Sequence, residues 1–277
     1  MTRALTLALL IGLGFTQTGE AVASHFTQLK GNPGLRSASA MVVDENGKLI
    51  YGKDVDTVRP IASITKLMTA MVILDSGLDL EEKITVTKGD RDQVQLTGSR
   101  LSYGATLSRR QMILIAIMSS ENRAASALGR TYPGGMKKFV ARMNEKAAEL
   151  GMTDSQFADP AGLMVENQAT ARDLMKMVQA AETYPLITEA STTKSLTVHP
   201  FSDRGPLTYN NTNRLLKNKT WDIALSKTGY INEAGRCLVM QAVIEGEPVS
   251  IVLLNSFGKL TPFGDSNRLR KWMLANS

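Results

Sequence analysis

The sequence predicts an α+β protein in which strands from both ends of the chain form one sheet and helices fill the middle. Residues 37–53, SASAMVVDENGKLIYGK, place two apolar runs around the pair Asn46-Gly47, which is a strong β-hairpin signal. Residues 221–256 contain three apolar runs of strand length, with a turn near residues 245–248. The segments between these two regions have helical apolar spacing, and a sheet built from the two ends follows.

The middle of the chain alternates helices with polar loops, after the segment ITVTKGD and a polar loop that runs to Leu107. The segment MKKFVARMNEKAAELGM is amphipathic and closes near Gly151, since glycine commonly follows a helix C-terminus. A polar stretch from about Thr188 to Thr220 precedes the final strands. We expect the sheet to use residues of about 36–60 and 220–277, and a helical lobe to cover about 84–215. Helices are expected over residues 61–75, 136–151, 170–182 and 265–275. The segment of residues 108–130 is expected to be helical in its apolar core, with the run MILIAIMSS ending at Ser120.

The first 23 residues have the composition of an export signal. Arg3 precedes an apolar run that is too short to span a membrane, and Ala21 and Ala23 occupy the small-residue positions of a cleavage site. We expect cleavage near Ala23, which leaves residues 24–277 as the exported domain. The alternative is an uncut amino-terminal membrane anchor.

The charge pattern argues against a nucleic-acid-binding protein. The chain carries a formal net charge of +6, but its basic and acidic residues are interspersed. It has no basic run and no ladder of aromatic residues on which bases could stack. A mildly basic exported protein suits an anionic cell wall, or at most peripheral association with a membrane surface, although plain solubility explains the charge equally well.

Cysteine and histidine are too scarce for several kinds of site. Cys237 is the only cysteine and lies in an apolar run, so neither an intrachain disulfide nor a cysteine zinc cluster is expected. His25 and His199 are far apart and have loop-like neighbours, which argues against a Ser-His-Asp triad. We expect no metal and no organic cofactor.

The segment RPIASITKLMTAMVILD contains a lysine where a leucine would be expected. Leu67, Ala70 and Leu74 lie on one helix face, and Ser63 and Lys66 share that face. Burial of an ammonium group is costly and favours loss of its proton. Either Ser63 caps the helix while Lys66 extends to solvent, or the lysine is needed beside the serine.

Three short motifs occur along the chain in the order S-x-x-K, S-x-N and K-T-G. The pattern S-x-x-K occurs at Ser63, Ser191 and Ser256, so it is weak alone, but only the first match opens an apolar helix. The single S-x-N is Ser120–Asn122 and the single K-T-G is Lys227–Gly229, at the end of a predicted strand. In this order the set is the signature of penicillin-binding proteins and class A β-lactamases.

From about residue 37 to residue 275 the chain resembles the D-alanyl-D-alanine peptidases of the low-molecular-mass penicillin-binding type. The stretches VRPIASITKLMTAMV, IMSSENRAA, YPGG, ATARDL and KTG carry the resemblance. It is closest to the endopeptidases of the penicillin-binding protein 7 type of Gram-negative bacteria, which implies a periplasmic location. The implied fold is a five-stranded antiparallel sheet flanked by helices, with an all-helical lobe.

The resemblance implies roles for the three motifs. Ser63 would be the nucleophile, and Lys66 would be its base, with a pKa lowered by burial and by the neighbouring charge of Lys227. Ser120 would relay a proton to the leaving amine, and Asn122 would orient Lys66 and a substrate amide. The alternative for Ser120 and Asn122 is an ordinary helix C-cap.

Further substrate-binding residues follow from the same resemblance. Thr228 would face the cleft beside the K-T-G lysine, and Gly229 would let the substrate backbone lie against the strand edge. The backbone N–H of Tyr230 and that of the nucleophilic serine would form an oxyanion hole. Arg236 or Lys259 would bind the substrate carboxylate, unless both are solvated surface charges.

The expected function is hydrolysis of D-alanyl–diaminopimelate cross-links in peptidoglycan, with β-lactam antibiotics as covalent inhibitors. The chain ends one helix after its last strand, and this feature and the SSEN form of the second motif favour an endopeptidase over a D-alanyl-D-alanine carboxypeptidase. A β-lactamase is disfavoured because Glu166 lies in ENQAT and not in the E-x-x-L-N of those enzymes. A catalytically silent wall-binding protein is disfavoured by the intact motifs.

Overall fold

A computed structural model describes Phe26 and residues 29–276, so the expected export signal, its cleavage site and His25 lie outside the described residues. Strands and helices follow one another as the sequence predicts, with additional short elements. In chain order they are β1 (Ser39–Asp44), β2 (Leu49–Lys53), β3 (Arg59–Pro60), α1 (Thr65–Asp75), β4 (Lys83–Thr85), β5 (Thr106–Ser108), α2 (Arg109–Met118), α3 (Asn122–Arg130), α4 (Gly135–Glu149), β6 (Gln168–Ala169), α5 (Ala171–Glu182), α6 (Pro185–Thr192), β7 (Ser195–Val198), β8 (Leu207–Asn210), β9 (Asp222–Ile231), β10 (Gly235–Ile244), β11 (Glu247–Ser256) and α7 (Thr261–Asn276).

A five-stranded antiparallel sheet in the order β2-β1-β11-β10-β9 joins the two ends of the described chain. The predicted fold class is therefore confirmed. In β1–β2 the Asp44 carboxylate accepts the backbone N–H groups of Asn46 and Lys48, and Gly47 has a φ of +77°, which suits the predicted turn. The carboxyl-terminal β11 pairs directly with β1, so the hairpin and the last strands form one sheet.

The sheet separates two apolar cores. In β1 the side chains of Met41 and Val43 pack into a core with the central helices, whereas Ala40 and Val42 pack on the opposite face with α7. This alternation is the two-residue period of a strand with both faces covered. Every residue of β1 is buried, and the sheet is therefore the middle layer of the molecule.

Residues 108–130 form two helices, and the first ends at Met118, close to Ser120, where the sequence places the end of the helical run. The chain breaks at Ser119–Glu121, between α2 and α3, and Ser120 has a φ of +62°. A left-handed conformation is uncommon for a residue other than glycine, and it often marks a functional position.

One further detail differs from the sequence expectations. The polar stretch of residues 188–220 contains the end of α6, the hairpin β7–β8 and a 3₁₀ turn, Arg214–Lys217. The K-T-G motif lies near the end of β9, which the sequence predicts within one residue at each end. Within residues 29–276 we find no helix with the length and apolarity of a membrane span.

Candidate active site

Ser63 lies on a tight turn immediately before the first long helix. The 3₁₀ turn Ala62–Ile64 leads into α1 at Thr65, and the Ser63 side chain makes no capping hydrogen bond. Ala62 has a φ of +48°, and its carbonyl oxygen would lie 1.9 Å from a Cβ placed on Gly162. The loop that contains Gly162 therefore packs against the turn so closely that no side chain fits there.

Lys66 is fully buried and its amine contacts Ser63. Its Nζ donates to Ser63 Oγ at 2.8 Å, to Asn122 Oδ1 at 2.8 Å and to the Ala161 carbonyl at 2.6 Å. These acceptors match the three donors of an ammonium group. The structure thus excludes both parts of the ordinary explanation, since Lys66 does not reach solvent and Ser63 caps no helix.

Burial lowers the pKa of Lys66 to about 7, against the opposing effect of the carboxylates of Asp159, Glu121 and Asp92. A group in water-poor surroundings loses the solvation that stabilises its charged form. A large fraction of Lys66 is therefore a neutral amine near pH 7, and a neutral amine can accept the proton of the adjacent hydroxyl.

Lys227 is the second buried amine of the site. Its Nζ donates to Ser120 Oγ at 3.0 Å and to the Thr228 carbonyl at 2.9 Å. Burial, and then the charge of Lys66, hold the pKa of Lys227 well below its ordinary value. Burial is the largest cause for both amines, and the like-charge contact between them adds to the lowering of the pKa of Lys227.

A loop that sequence reasoning missed fixes the amide of Asn122. Asn122 Nδ2 donates to Thr97 Oγ1 at 2.8 Å, and the Thr97 hydroxyl donates to Asp92 Oδ2 at 2.6 Å. Because the only hydroxyl proton of Thr97 is used by Asp92, Thr97 accepts from Asn122, and the Asn122 carbonyl must face Lys66. Burial alone would raise the pKa of Asp92, but hydrogen bonds from Thr97 and the loop backbone hold it below its usual value.

One cleft of about 510 Å³ opens above the two amines. Lys66 and Lys227 lie beneath its floor, and a neighbouring cleft of about 500 Å³ shares Ser120 and Asn122 with it. The sequence-predicted residues that line the first cleft are Ser63, Ser120, Asn122, Thr228, Gly229, Tyr230, Arg236 and Lys259.

The strand β9 forms one wall of the cleft and is an edge of the sheet. One side of an edge strand has backbone groups that the sheet leaves free for an extended peptide. A Cβ on Gly229 would lie 3.1 Å from the backbone nitrogen of Ser63, so β9 approaches the serine as closely as a glycine allows. The backbone N–H groups of Ser63 and Tyr230 therefore belong to adjacent segments.

The remaining predicted residues at the cleft have identifiable contacts. The Tyr230 ring lies 3.6 Å from the guanidinium carbon of Arg236, whereas Lys259 is exposed. Burial raises the pKa of the Cys237 thiol to about 11, so it is not a nucleophile near neutral pH. Within residues 29–276 no group of three or more histidine, cysteine or acidic side chains could hold a metal ion.

The arrangement is suited to acyl transfer. A serine hydroxyl touches an amine whose pKa is near neutrality, and a second amine holds another hydroxyl, that of Ser120, in the same cleft. The first pair can generate a serine nucleophile, and the second pair can deliver a proton to a leaving group. A model of the D-alanyl-D-alanine carboxypeptidase family of serine peptidases matches residues 27–258.

The chain belongs to this family. Family membership makes it a serine DD-peptidase and confirms the resemblance drawn from the three motifs. It is 49% identical over 240 residues to a D-alanyl-D-alanine endopeptidase of Pseudomonas aeruginosa, which covers 86% of this chain and 77% of that protein. It is also 45% identical to a D-alanyl-D-alanine endopeptidase of Escherichia coli, over 97% of this chain and 86% of that protein.

Solved structures of the family have the same fold. The crystal structure of the Streptomyces K15 DD-transpeptidase superimposes with a TM-score of 0.82 at 29% sequence identity and covers 89% of this chain and 100% of that one. A D-alanyl-D-alanine carboxypeptidase of Mycobacterium tuberculosis gives a TM-score of 0.81 at 28% identity, over 90% of this chain and 95% of that one. These similarities agree with the sheet and helices described above.

Proposed function

We propose that this protein is a serine DD-endopeptidase that cuts D-alanyl–diaminopimelate cross-links of peptidoglycan. The observation that carries the proposal is the buried amine of Lys66, with a pKa of about 7, at 2.8 Å from Ser63 Oγ in an open cleft. The similarity to two endopeptidases that cover most of this chain supports the choice of substrate.

In the proposed acylation step, neutral Lys66 takes the hydroxyl proton of Ser63 while Ser63 Oγ attacks the D-alanyl carbonyl carbon. The backbone N–H groups of Ser63 and Tyr230 stabilise the oxyanion that develops. The C–N bond then breaks, and Ser120, held by Lys227, passes its proton to the leaving amine. Ser120 regains a proton from the protonated Lys66, so that Lys66 is neutral again when the ester has formed. The products are a D-alanyl ester on Ser63 and an amine on the leaving stem.

In the proposed deacylation step, water attacks the ester carbonyl and gives up a proton to Lys66. The bond to Ser63 Oγ breaks, the serine oxygen takes that proton from Lys66, and a carboxylic acid leaves. Penicillin would acylate Ser63 in the same way, since its amide carbonyl takes the place of the D-alanyl carbonyl. Glu166 is exposed to solvent, so it is not a buried base for rapid hydrolysis of that ester.

The space around Ser120 supports a cross-linked substrate with two peptide stems. The cleft of Ser63 and the adjoining cleft share Ser120 and Asn122, so a branched peptide can extend in both directions from the reacting bond. The second candidate is a D-alanyl-D-alanine carboxypeptidase, which the matching family model favours by its own description. We also infer export to the periplasm, as the amino-terminal residues predict.

The test uses mature protein, its Ser63→Ala variant, a cross-linked muropeptide dimer and a monomeric pentapeptide. The wild-type protein is expected to convert the dimer to monomers, to release little D-alanine from the pentapeptide, and to bind fluorescent penicillin covalently. Ser63→Ala is expected to lose both peptide cleavage and covalent penicillin binding. Ser191→Ala, which changes a second S-x-x-K serine, is the control. Retained labelling of Ser63→Ala would refute the nucleophile, dominant release of D-alanine would identify a carboxypeptidase, and rapid multiple turnover of penicillin would identify a β-lactamase.

A further inference from the structure

The active-site cleft is lined by four cations and by no carboxylate. The cations are Arg214, Lys217, Arg236 and Lys259, and Thr228 lines the same cleft. Within residues 29–276, no acidic side chain pairs with any of these four cations. A cleft lined by one sign of charge concentrates ions of the opposite sign, so this cleft is suited to an anionic part of a ligand.

Arg214 and Lys217 stand on one short turn that the motifs did not identify. The 3₁₀ turn Arg214–Lys217 places these residues three positions apart, and such residues eclipse one another on a 3₁₀ helix. Both side chains are exposed and both line the cleft. Two like charges on one face repel each other, so this pair is stabilised when an anion lies between them.

The turn is held rigidly from within. Asn213 is buried, and its Oδ1 accepts the backbone N–H of Leu215 at 3.0 Å. Leu215 is buried in the core that contains Trp221, on the α7 face of the sheet. On the other side, Asn211 Nδ2 donates to the carbonyls of Ser191 and Thr193 at the end of α6. The two cations are therefore presented on a fixed support, which reduces the entropy lost when they bind a ligand.

The geometry points to Arg214 and Lys217 as specificity-determining residues that bind carboxylates of the leaving peptide stem. This inference rests on the proposed function and names the part of the substrate that these two cations recognise. In the proposed complex the first carboxylate, at the D-centre of diaminopimelate, would lie beside Thr228 and would need one of Arg236 and Lys259. Further cations are useful only for a leaving group with further carboxylates.

The two possible leaving groups differ in the number of carboxylates that they carry. Free D-alanine, released by a carboxypeptidase, carries one carboxylate. The leaving stem of a cross-link carries the D-centre carboxylate and, farther along the same stem, additional carboxylates. Arg214 and Lys217 line the cleft in addition to the cation that the first carboxylate needs, so they favour the larger and more acidic leaving group.

The experiment compares Arg214→Ala/Lys217→Ala with Lys194→Ala/Lys219→Ala. The control removes the same charge from exposed positions that do not line the cleft. Fluorescent penicillin titrates the competent fraction of each protein. The ratio of kcat/KM for cross-linked dimer to kcat/KM for pentapeptide is then measured at low and high ionic strength. We expect the ratio to fall roughly tenfold for Arg214→Ala/Lys217→Ala at low salt and to stay within about twofold for the control.

Binding to a Ser63→Ala background separates this inference from the proposed function. Dimer affinity is measured calorimetrically with and without Arg214→Ala/Lys217→Ala. A roughly tenfold weaker dimer affinity supports the inference even if wild-type protein fails to cleave the dimer, which would refute only the proposed function. An unchanged dimer affinity, or an equal loss for dimer and pentapeptide, would overturn it.

Discussion

At the scale of single residues, the site depends on two lysines whose side chains are buried away from water. Lys66 and Lys227 are both buried, yet their surroundings differ. Carboxylates of Asp159, Glu121 and Asp92 favour the charged form of Lys66, whereas the causes that act on Lys227 both favour its neutral form. The difference gives the two amines separate roles, with Lys66 poised to exchange a proton near neutral pH.

The pH dependence of acylation tests this assignment. The reaction uses neutral Lys66, so its rate with penicillin should rise with pH through an ionisation near the pKa of about 7. Lys66→Arg should acylate at least about 1000 times more slowly, because a guanidinium does not release its proton in this range. Stopped-flow measurement of penicillin acylation between pH 5 and pH 9 gives both results.

A second lysine variant serves as the control for Lys66→Arg. Lys146→Arg changes a lysine on α4 that pairs with Asp75 outside the cleft, and it should leave the pH profile of acylation unaltered. If Lys66→Arg acylated at nearly the wild-type rate, Lys66 would be only an electrostatic partner. The base would then have to be Ser120 acting with Lys227.

At the scale of elements, the sequence predicted which segments carry the motifs but not how the chain turns at them. The apolar spacing after Pro60 predicted α1, and Asn46-Gly47 predicted the first hairpin, because these signals are local. The left-handed conformation of Ser120 and the role of Thr97 depend on contacts between distant segments, and no local pattern in the sequence indicates them.

The turn that carries Ser63 is fixed by a neighbouring loop. Asp159 accepts the backbone N–H groups of residues 161–164, and Asn167 Nδ2 also donates to it. The same loop presents the Ala161 carbonyl to Lys66. Gly162 lies at the closest approach, where its φ is +75° and the Ala62 carbonyl occupies the space of a side chain.

Gly162→Ala and Gly151→Ala form a matched pair that isolates this contact. Both glycines have positive φ, but a Cβ on Gly151 meets nothing within 4 Å, whereas a Cβ on Gly162 would lie 1.9 Å from the Ala62 carbonyl. Gly151→Ala should cost about 1 kcal/mol of unfolding free energy from backbone strain. Gly162→Ala should cost about 3 kcal/mol and slow penicillin acylation roughly 100-fold, since the serine must shift.

Urea unfolding and acylation kinetics measure the two effects separately. If both variants lost the same stability and acylated equally, the contact between Gly162 and Ala62 would not position the serine. The comparison is informative because strain at the two glycines is similar, with φ values of +75° and +68°.

At the scale of the whole molecule, the sheet predicted from the two ends of the chain is confirmed because each end supplies complementary strands. The first hairpin and the last three strands were identified separately, and antiparallel pairing of β1 with β11 joins them. Sequence patterns could not show the contacts that hold the two ends together outside the strands. Those contacts are made by Asp265, which lies on α7 next to residues that precede β1.

Asp265 binds the segment before β1 to the last helix of the described chain. Its fully buried carboxylate accepts the backbone N–H groups of Arg36 and Ser37 at 3.0 Å and 2.7 Å, and it also accepts the Ser37 hydroxyl. Arg268 supplies a partly exposed ion pair to the same carboxylate. Removal of Asp265 would leave buried donors without partners, which is more costly than the loss of an exposed ion pair.

Asp265→Ala should therefore lower the unfolding free energy by roughly 3 kcal/mol at pH 7, and Arg268→Ala should lower it by less than about 1 kcal/mol. Burial alone would raise the pKa of Asp265, but the bonds from Arg36, Ser37 and Arg268 hold it below its ordinary value of 3.8. A depressed pKa means that the unfolded chain takes up the proton more readily, so this stabilisation is present above about pH 4 and is lost as the pH falls further. Urea unfolding of wild type and Asp265→Ala at pH 7 and pH 3 should show the difference between them shrinking at pH 3. A difference that stays constant between the two pH values would mean that the ionised carboxylate does not hold the two ends together.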